Sequence, residues 1–413
     1  VLLLAPDAST TGTSTLDVQV PINQNGFSYF IQGVGVGTAT ITASAPSYTS
    51  GTSPTVTATT PGFDILGLTS TTTSLSANDA FFVRLGAPNA ANTALAAEQS
   101  LRAGATAVTA TVRNRTPSVA QLVTTATTGQ QVTVSIVAGQ ARSPSTKTAG
   151  GVEYDPLGAG PDTVTATIPG FVIFPGTADS VPVTVTAPLI TMSTPAQGTG
   201  RLGVGLQDQG SGSLQVANPG PGSLTVHLVS SDPAVLLLAP DAATAGTPTL
   251  DVQVPILQSG FSYFIQGVAT GTATVTASAP AYTNGTSPTV TVATPGFDIL
   301  GLTTATTSLA ANDAFFVRLG VPNAPSTALA AEQSLRAGSS PLTVSVHNRT
   351  PSAAQLVTTA LTGQTVTVSI VAGQARSPST LGAGGVEYDP LGAGADTVTA
   401  SILGFVIFPG TAD

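Results

Sequence analysis

The chain has 413 residues, no cysteine and a formal net charge of −9, and only 8% of its residues are charged. Without cysteine there is neither a disulfide nor thiolate chemistry. The 11 basic residues are scattered singly, so no basic stripe follows a phosphate backbone, which excludes nucleic acid as a partner. No apolar run approaches the roughly 18 residues of a membrane span, so we expect none in this segment.

The low charge sets a second expectation. A soluble surface commonly carries about 25–35% charged residues. Here Thr, Ser, Gly, Ala and Gln must cover the outside. We expect a protein that either works anchored and dilute or packs against other copies of itself.

An internal repeat organises the chain. The text VLLLAPDA begins at Val1 and again at Val235, and this offset of 235 − 1 = 234 residues holds to the end. Each long repeat contains two related halves, A and B, and a proline follows each Val/Thr-rich strand at the boundaries. The predicted domains are residues 1–60 (the C-terminal part of a version A domain), 61–187 (version B), 188–294 (version A) and 295–413 (version B without its last strand).

Both terminal segments are incomplete when they are compared with their mates. The first has no counterpart of residues 188–234, and the last has no counterpart of the strand text DSVPVTVT at residues 179–186. We expect that a parent chain continues or that a neighbouring molecule completes the ends.

Strand signals dominate the chain. Alternation predicts strands at residues 16–20, 131–137 and 183–186, and 44 Gly and 31 Pro punctuate the pattern at short spacing. This spacing is typical of β-sandwiches. Residues 93–103 and their mates 327–337 are helix-prone, and here a helical turn and a strand both stay open.

Residues 271–292 predict the strand pair that closes each domain. Apolar Ala273, Val275 and Ala277 alternate with hydroxyl residues, which predicts a half-buried strand. Pro280 ends that strand, and Asn284 with Gly285 is expected to supply the positive φ of the turn before a second strand. Residues 37–58 carry nearly the same sequence.

A family resemblance rests on three stretches: SSDPAV at residues 230–235, GVATGTATVTA at residues 267–277 and the TVTV strand that follows. Together they resemble the bacterial immunoglobulin-like repeat domains of the invasin and intimin type. The resemblance implies an all-β fold of tandem immunoglobulin-like β-sandwich domains in an extended array. It also implies an extracellular or cell-surface stalk of a secreted bacterial protein, and it carries over no catalytic residue.

Candidate catalytic and nucleotide-binding patterns are weak. The text GTGRLG at residues 198–203 matches a dinucleotide fingerprint, but no helix is predicted after it, so a glycine-rich strand edge is expected. A hydrolytic triad needs a histidine, and there are only His227 and His347. Arg113 occupies the place of His347 in the other repeat, and His227 is expected on an exposed strand face. We therefore predict no enzyme, no catalytic residue and no cofactor.

Carboxylates are the candidate ligands for a hard cation such as calcium. They are Asp79, Asp313, Glu153, Asp155, Glu387 and Asp389. No Asp-x-Asp-x-Asp spacing occurs, so we predict no metal site and expect Asx turns and salt bridges to Arg84 or Arg318 instead.

Two further patterns have a simple structural explanation. The sequons at Asn114, Asn284 and Asn348 are expected to be turns. The threonine rows at residues 72–74 and 303–308 suggest an ice- or glycan-binding face, although threonine also simply favours strands.

The leading hypothesis is a structural one. It is an extracellular repeat protein that forms a stalk, sheath or filament by stacking immunoglobulin-like domains and that self-assembles through sheet edges with other copies. The alternative is an adhesin whose repeats bind a glycan or surface receptor through an aromatic cluster. Its candidate residues are Phe261, Tyr263 and Phe264, with Phe27, Tyr29 and Phe30 as mates. Alternation places Phe261 and Tyr263 on one face and Phe264 on the other.

Overall fold

The structure, a computed structural model, describes residues 1–174 and 179–408. The chain forms two compact units, Val1–Ala187 and Pro188–Asp413. In the described part, regular structure is almost entirely strand, interrupted only by the short 3₁₀ helices Lys147–Ala149 and Leu381–Ala383. The all-β prediction is therefore confirmed. The repeated ending PGTAD overlaps residues 175–178 and 409–413, which lie outside the described residues.

The strands of the first unit fall into two groups. In residues 1–60 they are β1 Leu2–Ala5, β2 Phe30–Gly33, β3 Gly37–Ala39, β4 Thr42–Ala43, β5 Gly51–Thr52 and β6 Val56–Ala58. In residues 61–187 they are β7 Gly62–Leu66, β8 Thr71–Thr73, β9 Asp79–Pro88, β10 Leu95–Glu98, β11 Val108–Asn114, β12 Ala120–Val123, β13 Thr128–Gly129, β14 Gln131–Ile136, β15 Val152–Pro156, β16 Gly160–Thr167 and β17 Ser180–Thr186.

The second unit again has a version A segment followed by a version B segment. In residues 188–294 the strands are β18 Ile190–Met192, β19 Arg201–Gly203, β20 Leu206–Leu214, β21 Leu224–Ser230, β22 Leu236–Ala239, β23 Thr249–Val254, β24 Gly260–Gly267, β25 Gly271–Ala273, β26 Val275–Ser278, β27 Gly285–Thr286 and β28 Val290–Ala293. In residues 295–408 they are β29 Gly296–Leu300, β30 Asp313–Pro322, β31 Leu329–Glu332, β32 Ser334–Leu335, β33 Leu342–Asn348, β34 Ala354–Val357, β35 Thr362–Gly363, β36 Thr365–Ile370, β37 Val386–Pro390 and β38 Val398–Ser401.

Residues 61–187 form a β-sandwich. One sheet has the order β10-β9-β15-β12-β13 with β7 also on β9, and the other has the order β14-β11-β16-β17-β8. Every second residue of the inner strands is buried, as in β14, where the pattern alternates from Gln131 to Ile136. The core between the sheets is built mainly from Val, Ala, Leu and Ile, around Phe63, Phe81 and Tyr154.

The second version B segment has the same sandwich with a narrower second sheet. Its order is β36-β33-β38, and no strand of the described residues pairs with the free edge of β38. In the first unit β17 covers this edge and pairs in parallel with β8. The mates of β8, residues 305–307, are not a strand.

Residues 188–294 form the version A sandwich from three sheets. Their orders are β18-β20-β24-β22, β19-β28-β25 and β23-β21-β26-β27. The β24 strand, with Tyr263 fully buried, lies at the centre of the first of these sheets.

The predicted hairpin at residues 271–292 is only half right. The outer strands β25 and β28 pair with each other, but β26 leaves for a different sheet and pairs with β21 and β27. The switch occurs at Thr274, whose N–H donates to Ser231 Oγ at 2.8 Å and whose carbonyl accepts from Ser231 N at 2.9 Å. A single polar residue therefore satisfies the backbone where the chain changes sheets.

The turn of that pair also differs from the prediction. The positive φ lies at Ala281 (φ 66°), in a turn closed by Tyr282 N donating to Ala279 O, and Asn284 and Gly285 do not adopt it. Pro280 occupies the position before Ala281, as a type II turn prefers. Gly285 is required for another reason, because a Cβ there would lie 2.2 Å from Ile190 O.

The structure decides two local predictions, the helix-prone stretches and the strand at residues 16–20. Residues 93–103 and 327–337 contain strands β10, β31 and β32 and no helix. The strand predicted at residues 16–20 is wrong, although the identical text at residues 250–254 forms most of β23. β23 pairs with β21, and the sequence contains no counterpart of β21 for residues 16–20.

Candidate functional site

His227 lies on an exposed strand face, as expected. In register it stands between Asp251 and Ser278, so the three residues have the composition of a hydrolytic triad. Its Nδ1 lies 2.6 Å from Asp251 Oδ1, but Ser278 Oγ donates to the His227 carbonyl oxygen at 3.5 Å instead of to the ring. This row lacks the serine–imidazole bond on which nucleophile activation depends.

The other weak patterns are structural elements. GTGRLG at residues 198–203 leads into β19, which pairs in parallel with β28, and Leu202 is fully buried. His347 Nδ1 lies 2.8 Å from Thr365 Oγ1 on the neighbouring strand. Of the threonine rows, residues 72 and 73 lie in β8, whereas residues 303–308 form no strand and Thr303 Oγ1 donates to Asp313 Oδ2 at 2.8 Å.

The candidate metal ligands are dispersed. Asp79 Oδ2 accepts from Thr69 N at 2.8 Å, and Asp155 Oδ2 accepts from Gln121 Nε2 at 2.7 Å. Among the described residues no three His, Cys, Asp or Glu side chains are grouped so that they could hold a metal ion.

The ion-pair partners expected for Arg84 and Arg318 are wrong. Arg84 pairs with Asp64 on β7 and also approaches Glu98, which Arg142 grips at 2.8 and 2.7 Å. These hydrogen bonds from Arg142 are the main cause that lowers the pKa of Glu98. Arg318, Asp298, Glu332 and Arg376 repeat the cluster in the second unit. The sequence did not predict these ion pairs, because the side chains come together only through the register in which the neighbouring strands pair.

Two of the three sequons are buried. Asn114 and Asn348 are each 1% exposed, and their Nδ2 groups donate to the carbonyl oxygens of Ala120 and Ala354. Asp162 stands beside Asn114, and its Oδ1 accepts from Arg115 N, Thr116 N and Thr163 N. Tyr154 OH also donates to Asp162, and burial raises the pKa of that phenol. These asparagines hold a turn, whereas Asn284 is exposed.

The aromatic cluster proposed for adhesion is largely core in the second unit. Phe261 is 7% exposed, Tyr263 is fully buried, and Phe264 faces the other way at intermediate exposure. The face assignment from alternation is confirmed. The mates Phe27 and Phe30 are 49% and 47% exposed in the first unit, where the sequence holds no counterpart of the covering strand β20.

The site that the sequence did not predict is a junction inside the second unit. Strand β32, which belongs to the version B segment, pairs antiparallel with β20 of the version A segment, and Leu335 stands opposite Leu206. Both leucines are buried and belong to the core of the version B sandwich. The two segments therefore share a sheet edge and a core at this junction.

Two buried glutamines bind the junction across the segments. Gln333, 2% exposed, donates from Nε2 to Arg201 O at 2.8 Å and accepts at Oε1 from Gly203 N at 2.9 Å. Gln207, 1% exposed, accepts at Oε1 from Ala337 N at 3.0 Å. Each glutamine substitutes for a missing backbone partner at the place where the two sandwiches meet.

Asp208 is a buried carboxylate at the same junction. Gln209 N donates to its Oδ1 at 2.7 Å, and the side chains of Gln197 and Gln333 donate to its Oδ2 at 3.2 and 3.4 Å. Burial raises its pKa because desolvation penalises the charged form more strongly than these bonds stabilise it.

A sequence signal for this junction exists in retrospect. Residues 333–337, QSLRA, alternate buried and half-buried positions. In the same sequence at residues 99–103, Gln99 and Ser100 are exposed, Leu101 and Arg102 are half-buried and Ala103 is buried. The alternation predicts a strand, but the sequence does not show with which strand it will pair.

No protein-family model matches the chain, and no curated protein matches it. Solved structures similar to it include domains 4–9 of the surface-layer protein SbsC (15% identity, 84% of this chain, 46% of that chain, TM-score 0.26). They also include invasin, a bacterial integrin-binding protein (10% identity, 83% and 57% coverage, TM-score 0.23). A third is the C-terminal domain of the Streptococcus agalactiae AgI/II polypeptide BspA (10% identity, 56% and 99% coverage, TM-score 0.22).

The chain spans about half the length of the SbsC and invasin structures. Invasin is a protein of the type that the sequence resembles. No helix among the described residues is long and apolar enough to cross a membrane.

The junction glutamine has a matched control in the chain. We expect Gln333→Ala to destabilise the second unit by about 1–3 kcal/mol, because the buried Gly203 N–H loses its acceptor. Gln99→Ala, at the exposed mate, is expected to change stability by less than about 0.5 kcal/mol. Urea unfolding followed by circular dichroism measures both, and equal effects would contradict the assigned role of Gln333.

The raised pKa of Asp208 predicts a pH dependence. Its folded-state pKa lies above the ordinary value of 3.8, so protonation stabilises the fold, and this contribution is lost as the pH rises through the folded pKa. The free energy of unfolding of the wild type, relative to Asp208→Asn, should therefore increase between about pH 7 and about pH 4. Asp17→Asn, at an exposed position, is the charge control. A difference that is flat or falls on acidification would refute the burial argument.

Proposed function

We propose that this chain is a structural repeat segment of a secreted bacterial protein, working outside the cell or on its surface as part of a stalk, sheath or filament. Its four segments, 1–60, 61–187, 188–294 and 295–413, act as immunoglobulin-like domains or parts of them. Its role is mechanical, and it is not an enzyme. The observation that carries the proposal is the addition of β32 to β20, which ties two sandwiches together.

The junction resists bending for a physical reason. Hinging the two segments apart would break the β20–β32 hydrogen bonds, leave the Gln333 and Gln207 partners unsatisfied and expose Leu206 and Leu335 to water. Burying one leucine contributes roughly 1.5–3 kcal/mol, and each unsatisfied buried group costs about 1–3 kcal/mol. A joint of this kind keeps its angle, as a spacer requires.

Self-assembly is the finer part of the proposal. The free edge of β38 has unpaired backbone groups in the described residues, whereas β17 covers the same edge in the first unit. We propose that a strand of a second copy adds to this edge. Low surface charge supports this, because an open edge is commonly protected by charged side chains, and β38 has none.

Adhesion remains the alternative role. The buried aromatic residues of β24 do not support it, so a ligand site would have to use another surface.

Labelling of native material tests the structural role. We expect antibodies against the second unit to decorate intact cells, and electron microscopy to show the label along stalks or ordered fibres. A label that appears only after the cells are permeabilised would refute the surface location.

Edge substitutions test the assembly. In sedimentation velocity across micromolar concentrations we expect the wild-type chain to associate and Ser401→Lys, on the free edge of β38, to sediment as a monomer. Ser369→Lys, on the opposite edge strand β36, is the matched control and should associate like the wild type. Monomeric wild-type protein at every concentration would end the assembly proposal and leave the mechanical role standing.

A further inference from the structure

Two arginines of the first unit share an open sheet face without any acidic partner. Arg113 and Arg115 are exposed, and none of the ion pairs or side-chain hydrogen bonds of the described residues involves either guanidinium. Four other arginines each grip a carboxylate through Nε and a terminal nitrogen. An unpaired arginine fork is free to bind an anion from outside.

The register of the neighbouring strands determines which side chains surround Arg113. It stands opposite Gln131 on β14 and Thr165 on β16, and the next outward row is formed by Thr111, Thr133 and Thr167. The two arginines, with Gln131, Thr111, Thr165 and Thr167, line an open depression of about 620 Å³. Val112, Val132 and Ala166 on the other side of the same strands are buried, so the core fixes the platform.

The lining selects a class of ligand. Guanidinium groups bind carboxylate or sulfate in a planar fork, and the surrounding hydroxyl and amide groups can exchange hydrogen bonds with sugar hydroxyls. No aromatic side chain lines the depression to stack a nucleic-acid base. In a chain of net charge −9, this local pair of positive charges complements an acidic sugar and not a basic partner.

The buried carboxylate below the arginines does not neutralise them. Asp162 is 4% exposed, and its oxygens accept from backbone N–H groups of the turn, including that of Arg115, and from Tyr154 and Asn114. It therefore holds the Arg115 backbone in place and leaves both guanidinium groups to the solvent.

We propose that this face, the arginine face, is a binding site for an acidic oligosaccharide that carries carboxylate or sulfate groups. The site goes beyond the mechanical role and does not depend on it. Arg113 and Arg115 bind the anionic groups, and Gln131 with the threonines binds the neighbouring hydroxyls.

The second version B segment supplies an internal comparison. There His347 replaces Arg113 and Thr365 replaces Gln131, while Arg349 keeps the position of Arg115. The His347 ring is engaged with Thr365 at 2.8 Å, so this face offers one free guanidinium instead of two. The arginine face should therefore bind acidic sugars more tightly than its mate.

The experiment is titration calorimetry of the full chain with alginate oligosaccharides (carboxylated) and dextran sulfate oligosaccharides (sulfated), with neutral dextran as control. We expect at least one acidic probe to bind at low salt and neutral dextran not to bind. The loss of one charged hydrogen-bonding group commonly weakens binding by about tenfold or more. Arg113→His should show this loss for the acidic probe while the thermal unfolding of the chain is unchanged.

The reverse exchange makes the test decisive. His347→Arg with Thr365→Gln should add a second site of similar affinity and restore binding to the Arg113→His chain. The proposal is overturned if neither acidic probe binds at low salt, if Arg113→His leaves the affinity unchanged, or if oligo-dT binds as tightly as the acidic sugars. The last result would indicate a site for any polyanion.

Discussion

The structure depends above all on one constraint: a strand forms only where another strand is there to pair with it. Identical sequences in the two repeats show this, because they form different structures. GFSYFIQG is a full strand at residues 260–267 between β20 and β22, yet at residues 26–33 only its second half is a strand. The same holds for residues 16–20 and 250–254. Local propensity is equal in each pair, so the tertiary partner decides the outcome, as is expected when backbone groups must be satisfied by a neighbour.

The junction follows from the same constraint. The sequence QSLRA contains a strand and buries Leu335 where β20 is available, whereas its mate at residues 99–103 forms no strand and leaves Gln99 exposed. The shared edge and the buried glutamines Gln207 and Gln333 add hydrogen bonds between the two segments at this place.

The period-two pattern was sufficient to predict the all-β class, strands such as β14 and β17, and the buried face of Phe261 and Tyr263. It failed where the answer is non-local. The change of sheet at Thr274 depends on Ser231, more than 40 residues away in the chain, and the partner of Arg84 is set by the register of β7 on β9. The candidate site could not be predicted for the same reason, since β32 looks like an ordinary strand until β20 is placed beside it.

The two version B segments also separate what the fold requires from what it leaves free. Most of their inward residues coincide, although Ala110 corresponds to Val344 and Val119 to Ala353. Asp162 and Asp396 hold the same turn with the same asparagine and tyrosine partners. On the outward face, Arg113 and Gln131 become His347 and Thr365. Neither pair contributes to a core, so packing does not explain the exchange. A sheet face that is open to water can change its side chains while the opposite, buried face keeps the sandwich, so the two copies can differ in surface chemistry without a change of fold.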